Sequence, residues 1–135
     1  MTDSQAFVPS STAGAKQAVL RLDTLELIPG VRVISVRGEL DILTAPALVK
    51  RVGQELAGGP RGLILDLSQL GFLGSSGISA LIDARDAAFR SNVPLRLVCA
   101  SRAVLRPLEA TGVAGLFGIS GKLSDALRYH NVDSR

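Results

Sequence analysis

The stretch DLSQLGFLGSSGISALIDARDAAF, which runs from Asp66 to Phe89, decides the fold of this chain. It passes from an apolar strand through a short loop into an amphipathic helix. The loop ends in Gly74-Ser75-Ser76-Gly77, so we expect two hydroxyl groups at the N-terminus of a helix, next to glycines that leave the backbone accessible. Such a position can hold an anion, or it can become anionic by phosphorylation.

Apolar periodicity on both sides of this stretch predicts a regular alternation of strands and helices. Pro29-Gly30 separates two strand-like segments, which predicts a hairpin. Thr44 is expected to cap the first helix, with Pro46 tolerated in its first turn. Ser101 is expected to cap a later helix that ends at Gly112. The predicted strands are residues 19–28, 31–36, 63–67, 95–99 and 116–119, and the predicted apolar helix positions are Leu48, Val49, Val52, Leu56, Ile78, Leu81, Ile82, Ala88, Phe89, Val104, Leu105, Leu108, Leu123, Ala126 and Leu127.

This order is one strand followed by four βα units, which predicts an α/β fold with a mainly parallel five-stranded sheet. We expect the first strand to pair antiparallel at an edge of that sheet. Residues 63–67 are apolar almost throughout, as is typical of a central strand that is covered on both faces. A single domain is expected over residues 17–131, with a flexible polar tail over residues 1–16 and a short C-terminal tail over residues 132–135.

The composition restricts the classes of function. Hydrophobic residues make up 47% of the 135 residues, as in a globular chain rather than a disordered one. The net charge is +3, but the basic residues are scattered among acidic ones and form no stripe, which argues against direct binding of nucleic acid. No apolar run reaches the ~20 residues that cross a bilayer, and the N-terminus lacks the pattern of a signal peptide. We therefore expect a cytoplasmic protein that does not insert into membranes.

The chain also lacks the usual signs of an enzyme. Gly74-Ser75-Ser76-Gly77 is not the G-x-S-x-G motif of a nucleophile elbow, and residues 115–122 lack the spacing and the Ser or Thr of a phosphate-binding loop. His130 is far in sequence from any candidate nucleophile, so we expect a surface or helix-end residue. Cys99 is the single cysteine, which excludes an intrachain disulfide and favours a small core residue. We expect no catalytic residue, no cofactor and no metal.

Two pairs of polar residues leave alternatives open. Asp41 and Asp66 both follow strands, at the sheet edge where α/β proteins bind ligands. They could be metal ligands or an acid–base pair, although Asp at such positions more often holds a turn or a cap. Ser75 or Ser76 could simply cap the following helix, a contact worth about 1 kcal/mol. Capping is compatible with phosphorylation, so it does not exclude a modification site.

At these residues the chain resembles the anti-sigma factor antagonists, also called STAS domains. The resemblance covers about residues 18 to 130. It rests on G-E-L-D at residues 38–41 followed by Thr44-Ala45, and on D-L-S-x-L-x-F-L-x-S-S-G at residues 66–77. Similar positions later in the chain are Leu97-Val98, Ser101 and Gly112.

The resemblance implies a regulator without chemistry of its own. Such an antagonist binds an anti-sigma factor, typically a serine kinase related to the histidine-kinase ATPases, and a sigma factor is then released for transcription. The kinase phosphorylates the first serine of the S-S-G motif, which is Ser75 here, and a serine phosphatase reverses the modification. The family usually has Asp before the two serines, whereas this chain has Gly74. The implied partner-binding residues are Asp41, Thr44, Gly74, Ser75, Ser76, Gly77, Ile78, Ser101 and Arg102.

Two other functions stay open at this point. The chain could be a STAS module that acts without phosphorylation, as a scaffold or as a small-ligand-binding module of a transport or signalling complex, and Gly74 is compatible with that role. It could also be a small α/β hydrolase or a nucleotide-binding enzyme, but it lacks an assembled triad and a good phosphate loop.

Overall fold

A computed structural model of the chain describes residues 19–133. Within that range a mixed sheet is combined with four α-helices and a short 3-10 turn. The expected tail over residues 1–16 lies outside the described residues, as do the last two residues of the chain. The last helix continues to Asp133, which is inside the range expected as a C-terminal tail. The strands are β1 Leu20–Ile28, β2 Val31–Leu40, β3 Gly62–Asp66, β4 Leu70–Leu73, β5 Leu95–Val98 and β6 Gly118–Ser120; the helices are α1 Ala45–Ala57, α2 Ser75–Arg90, α3 Arg102–Ala110 and α4 Leu123–Asp133; the 3-10 turn is Ala114–Leu116.

The sheet has the mixed topology that the sequence predicts. β1 pairs antiparallel with β2 at one edge, across the hairpin turn at Pro29-Gly30. β2, β3, β5 and β6 then follow side by side, and each neighbouring pair is parallel. The expected α/β class and the antiparallel edge strand are therefore confirmed.

The structure adds β4 to the five expected strands. β4 lies beyond the end of β3 and pairs in parallel with the last residues of β2. The prediction that the chain leaves β2 after Val36 is wrong, because β2 continues through Gly38 to Leu40. Gly38 has φ +110°, and the register shifts directly after it. Leu70 and Leu73 are buried in the core, which stabilises the additional pairing.

The two faces of the sheet are covered unequally. Helices α1, α2 and α3 pack over one face, against inward residues such as Ile34, Leu65 and Leu97. Successive parallel strands connected by right-handed crossovers place their helices on the same side. α4 alone packs on the other face, against Ile64 and Val98. None of the described helices is long and apolar enough to span a membrane.

Four side chains differ from the sequence expectation. Val49 was expected on the apolar face of α1 but is exposed. Phe89 is 80% exposed, because Ala88 takes the buried position in the last turn of α2. Leu116 lies in the 3-10 turn, and the strand begins only at Gly118. His130 is 2% exposed rather than a surface residue. Its ring occupies the space above Gly62, where a Cβ atom would lie 2.5 Å from Nδ1.

Candidate functional site

The ends of β2 and β4 bring the two main candidate segments together. Leu40 and Leu73 are register partners at the last position of each strand. The N–H of Gly74 then donates a hydrogen bond of 2.9 Å to the carbonyl oxygen of Leu40. Because both strands point the same way, the turn that starts at Asp41 and the start of α2 lie at the same edge of the sheet.

Asp41 organises the turn between β2 and α1. Its Oδ1 accepts hydrogen bonds from the N–H groups of Leu43 at 3.0 Å and Thr44 at 3.1 Å. Its own N–H donates to Thr44 Oγ1 at 2.9 Å. The Thr44 hydroxyl donates to the carbonyl oxygen of Glu39 at 2.8 Å, so it does not cap α1. Thr44 occupies the N-cap position as predicted, but it holds the turn instead of the helix.

Asp66 has a similar local role. Its Oδ1 accepts a hydrogen bond of 3.0 Å from the N–H of Ser68, which follows β3. Asp41 and Asp66 therefore each stabilise a turn of their own, which is the commoner of the two roles considered for them.

Burial, and then the charge of Asp66, raises the pKa of the nearby Cys99 thiol to about 11, which keeps this thiol protonated and unreactive.

Helix α2 begins at the serines themselves. Gly74 is the N-cap, with φ −93° and ψ −179°, and no side chain caps the helix. Ser75 and Ser76 form the first turn, so the expectation that one of them serves as a cap is wrong. The Ser75 side chain is exposed, whereas Ser76 is half-buried. Ser76 lines the groove between α1 and α2, and Ser75 does not.

Gly77 fixes how closely α2 approaches the sheet. A Cβ atom there would lie 2.6 Å from the carbonyl oxygen of Leu40 and 2.8 Å from Cδ1 of Leu73. A backbone oxygen cannot move aside cheaply, so only glycine fits. Ile78, one residue later, is buried in the core and its N–H donates to the Gly74 carbonyl. We therefore assign Gly77 and Ile78 to packing.

Gly74 is not required by its own backbone conformation, which is extended. A Cβ atom on Gly74 would lie 3.1 Å from Cε2 of the Phe72 ring, a close contact that a small movement of this ring would relieve. Phe72 is 50% exposed and therefore stands at the surface beside the start of α2.

An open groove of about 450 Å³ separates α1 from α2 next to this turn. Its lining is mainly apolar, with Lys50 and Asp83 as its charged residues. Ile42 contributes to it and is 75% exposed, and its neighbour Leu43 is 76% exposed. Ile42 and Leu43 were not expected at this surface, and Phe72 was predicted only as the F of the motif at residues 66–77. The available signal was a pair of large apolar residues inside a turn that the helical periodicity did not include.

Ser101 and Arg102 lie at the start of α3, a helix that contacts β4, the strand that leads into Gly74. Ser101 occupies the N-cap of α3, but its hydroxyl makes no capping hydrogen bond and its Oγ is buried. Arg102 is exposed and lines a second hollow, of about 510 Å³, together with Arg106 and Glu109. Neither residue lines the groove between α1 and α2. The groove between α1 and α2 is thus lined by residues of the turn after β2 and of the start of α2, and not by residues of α3.

Comparison with known proteins supports this fold. The family model of the STAS domain matches residues 24–126. The chain therefore belongs to the STAS domain family.

Two mycobacterial proteins show to which group within the STAS family the chain belongs. The chain is 36% identical over 98 residues to the anti-sigma-F factor antagonist RsfB of Mycobacterium tuberculosis. The aligned region covers 73% of this chain and 80% of that protein. It is also similar to the crystal structure of an anti-sigma factor antagonist from Mycobacterium paratuberculosis, with TM-score 0.73, 36% identity and coverage of 82% of this chain and 95% of that chain. Within the STAS family the chain thus falls among the anti-sigma factor antagonists, which are regulators and not enzymes.

A more distant structure shares the fold. The Bacillus protein SpoIIAA in its unphosphorylated form has TM-score 0.68 at 16% identity, and the similarity covers 82% of this chain and 97% of that chain.

Proposed function

We propose that this protein binds an anti-sigma factor of the serine-kinase type through the surface around Ser75, and so frees a sigma factor for transcription. In this proposal the kinase phosphorylates Ser75 and switches the antagonist off, and a serine phosphatase restores it. The observation that carries the proposal is the exposure of Ser75 in the first turn of α2, directly beside the Asp41 turn. Asp41, Thr44 and Gly74 to Ile78 form or support this surface.

The structure favours Ser75 over Ser76 as the phosphoacceptor. A kinase must bring the hydroxyl into its own active site, and Ser75 is exposed for this. Ser76 is half-buried and lines the groove close to α1. Its hydroxyl is therefore less accessible to a second protein. This difference in exposure supports Ser75 as the phosphoacceptor, which is also the serine that the family motif indicates.

A phosphate at Ser75 is compatible with the fold of the antagonist. It adds about two negative charges at pH 7. The first turn of α2 carries no acidic side chain, and the helix dipole favours an anion there by about 0.3–1 kcal/mol. We therefore expect phosphorylation to leave the protein folded.

The same phosphate opposes docking. A partner that covers Ser75 must desolvate the dianion, which costs several kcal/mol unless a cation pairs with it. A loss of about 4 kcal/mol corresponds to roughly thousandfold weaker binding. The modification can thus release the anti-sigma factor without unfolding the antagonist.

The test uses the full chain with a serine-kinase anti-sigma factor from the same genome and ATP, followed by phosphopeptide mapping. We expect one phosphate on Ser75 in the wild type and in Ser76→Ala, and none in Ser75→Ala. Ser75→Asp should bind the anti-sigma factor more weakly than the wild type, while Ser75→Ala should stay bound in the presence of ATP. Phosphate on another residue, or none from a kinase that modifies a control antagonist, would refute the switch.

The second candidate is a STAS module that works without phosphorylation in a transport or signalling complex. The observation in its favour is Gly74, which lacks the carboxylate that the family usually has before the two serines. Under this alternative, Ser75→Asp and Ser75→Ala would bind the partner equally well.

A further inference from the structure

β1 forms a long open edge of the sheet. It is the first strand in the strand order and, among the described strands, it pairs with β2 alone. It has nine residues, whereas β6 at the opposite edge has three. Proteins usually protect such an edge with proline, a bulge or a short strand, because its free N–H and C=O groups pair readily with another strand. β1 has no proline or glycine, and its register shifts only after Leu25.

The backbone groups of every second residue of β1 point to this open edge. The carbonyl oxygen of Val19 accepts a hydrogen bond of 2.9 Å from the N–H of Glu39 in β2. In an antiparallel pair, residues that exchange hydrogen bonds with the neighbouring strand alternate with residues that do not. The N–H and C=O groups of Leu20, Leu22 and Thr24 therefore point away from β2.

A contact from α1 agrees with this orientation. Nη1 of Arg51 donates to the Leu22 carbonyl oxygen at 3.4 Å and to Thr24 Oγ1 at 3.0 Å. The Leu22 carbonyl is thus accessible from the outer side of β1. A carbonyl oxygen has two lone pairs, so it can accept a second hydrogen bond from another strand.

The charges of β1 are complementary to those of a second, antiparallel copy of the same strand. Residues 19–25 have the sequence VLRLDTL. In an antiparallel pair centred on Leu22, Arg21 of each copy lies opposite Asp23 of the other copy, so the ion pair occurs twice. Positions 21 and 23 lie on the same face of the sheet, as a two-fold axis perpendicular to the sheet requires. They also form a pair without backbone hydrogen bonds, in which opposite side chains are closest.

Apolar contacts and backbone hydrogen bonds fit the same register. Val19 and Leu25, which are 56% and 50% exposed, lie opposite each other in the two copies. The outward groups of Leu20 meet those of Thr24, and the outward groups of Leu22 meet those of Leu22 in the second copy. Each outward N–H of this segment therefore finds a carbonyl oxygen.

Within one copy, Arg21 and Asp23 take no part in the ion pairs among residues 19–133. Arg21 is instead the register partner of another cation, Arg37. Like charges directly opposite each other destabilise a pair of strands. A carboxylate from a second copy would offset this repulsion.

We propose that β1 is a self-association edge, at which two copies of this chain pair their β1 strands antiparallel with Leu22 at the centre. This inference is independent of the proposed function, since no residue of β1 lines the groove beside Ser75. An interface made of one strand pair is small, so the dimer is weak and exchanges with the monomer. Each dimer carries two Ser75 surfaces.

Sedimentation velocity of the full chain over a series of concentrations measures the dissociation constant of the dimer. We expect the wild type to change from monomer to dimer between about 10 μM and 1 mM. Arg21→Asp and Asp23→Arg each place two pairs of like charges in the interface, so each should weaken the dimer about tenfold or more.

The double variant Arg21→Asp/Asp23→Arg is the decisive one. Because position 21 of one copy faces position 23 of the other, the double variant has opposite charges at both pairs again. Its dissociation constant should return to that of the wild type. The matched control is Arg106→Asp, which reverses an exposed charge on α3 and should dimerise like the wild type.

Amide hydrogen exchange measured by NMR tests the backbone pairing. At concentrations where the wild type is dimeric, the N–H groups of Leu20, Leu22 and Thr24 should be protected, and dilution should remove this protection. The N–H groups that bind β2 should stay protected at every concentration. This measurement needs no variant, so it decides the question even where a variant fails to fold.

The results that would overturn the proposal are specific. A wild type that stays monomeric up to about 1 mM refutes the self-association edge. A dimer that is unchanged in folded Arg21→Asp and Asp23→Arg variants refutes the register, as does a folded double variant that is as weak as the single ones. Circular dichroism separates loss of the dimer from loss of the fold. The proposed function stands or falls separately, by the kinase assay.

Discussion

Replacing Gly77 by Ala should destabilise the protein, although the same change in a helix usually stabilises it. Ala is favoured over Gly by up to about 1 kcal/mol in a helix interior. At Gly77, however, the new methyl group would lie 2.6 Å from the Leu40 carbonyl oxygen, 2.8 Å from Leu73 Cδ1 and 2.9 Å from Leu40 Cγ. These contacts include a backbone atom of β2, so the start of α2 must move away from the sheet.

The magnitude follows from these two opposing effects. Overpacking a well-filled core typically costs about 1–3 kcal/mol. Subtracting about 1 kcal/mol of helix propensity leaves a net loss of up to about 2 kcal/mol. For a domain of this size, each kcal/mol lowers Tm by about 4 °C, so we expect a decrease of up to about 8 °C.

The assay is thermal unfolding followed by circular dichroism, with Gly53→Ala in α1 as the matched control. Nothing lies within 4 Å of a Cβ atom at Gly53, so this variant should be as stable as the wild type or more stable. If Gly77→Ala matches Gly53→Ala, the close approach of α2 to Leu40 is not a constraint, and the packing described for the site is wrong.

Two further changes test the turn and the core. Asp41→Ala removes the acceptor of the Leu43 and Thr44 N–H groups, so it should lower the free energy of unfolding in urea by about 1–2 kcal/mol. Asp41→Asn keeps an acceptor oxygen and should lower it less. Equal losses of stability in the two variants would contradict the role assigned to Asp41. For Cys99 the pKa is raised from 9.0 to about 11, so its contribution to stability is complete below pH 9 and is lost as pH rises through 11. The unfolding free energy of the wild type should therefore fall more steeply between pH 9 and 11 than that of Cys99→Ala, and parallel curves would refute the shift.

The alternation of strands and helices was predictable because it depends on local periodicity. The apolar run at residues 63–67 predicted a central strand, and β3 is observed at Gly62–Asp66. β4 was not predictable in the same way. Its sequence LGFL is short and contains a glycine, and it becomes a strand only because the end of β2 offers a pairing partner.

The candidate site was predicted in part for a similar reason. Parallel strands bring their carboxyl ends together, which is why Asp41 and Asp66 were expected at one edge of the sheet, whereas Gly74 to Ile78 were expected there from the family resemblance. In the structure the Gly74 N–H donates to the Leu40 carbonyl, directly before Asp41. Exposure, in contrast, depends on which helices cover which face. The helical spacing placed Phe89 on the buried side of α2, and it gave no reason to expect Phe72 at the surface. Spacing along the chain does not show which neighbouring elements cover a residue.

The most direct test of the central claim is the affinity of the anti-sigma factor for the antagonist with and without phosphate on Ser75. Phosphoserine can be incorporated at residue 75 during synthesis of the full chain, which gives a homogeneous protein without the kinase. The proposed switch predicts that binding weakens roughly a hundredfold to thousandfold, while Tm stays close to that of the unmodified protein. Equal affinity of the two forms for an anti-sigma factor that binds the unmodified protein would contradict the switch at Ser75.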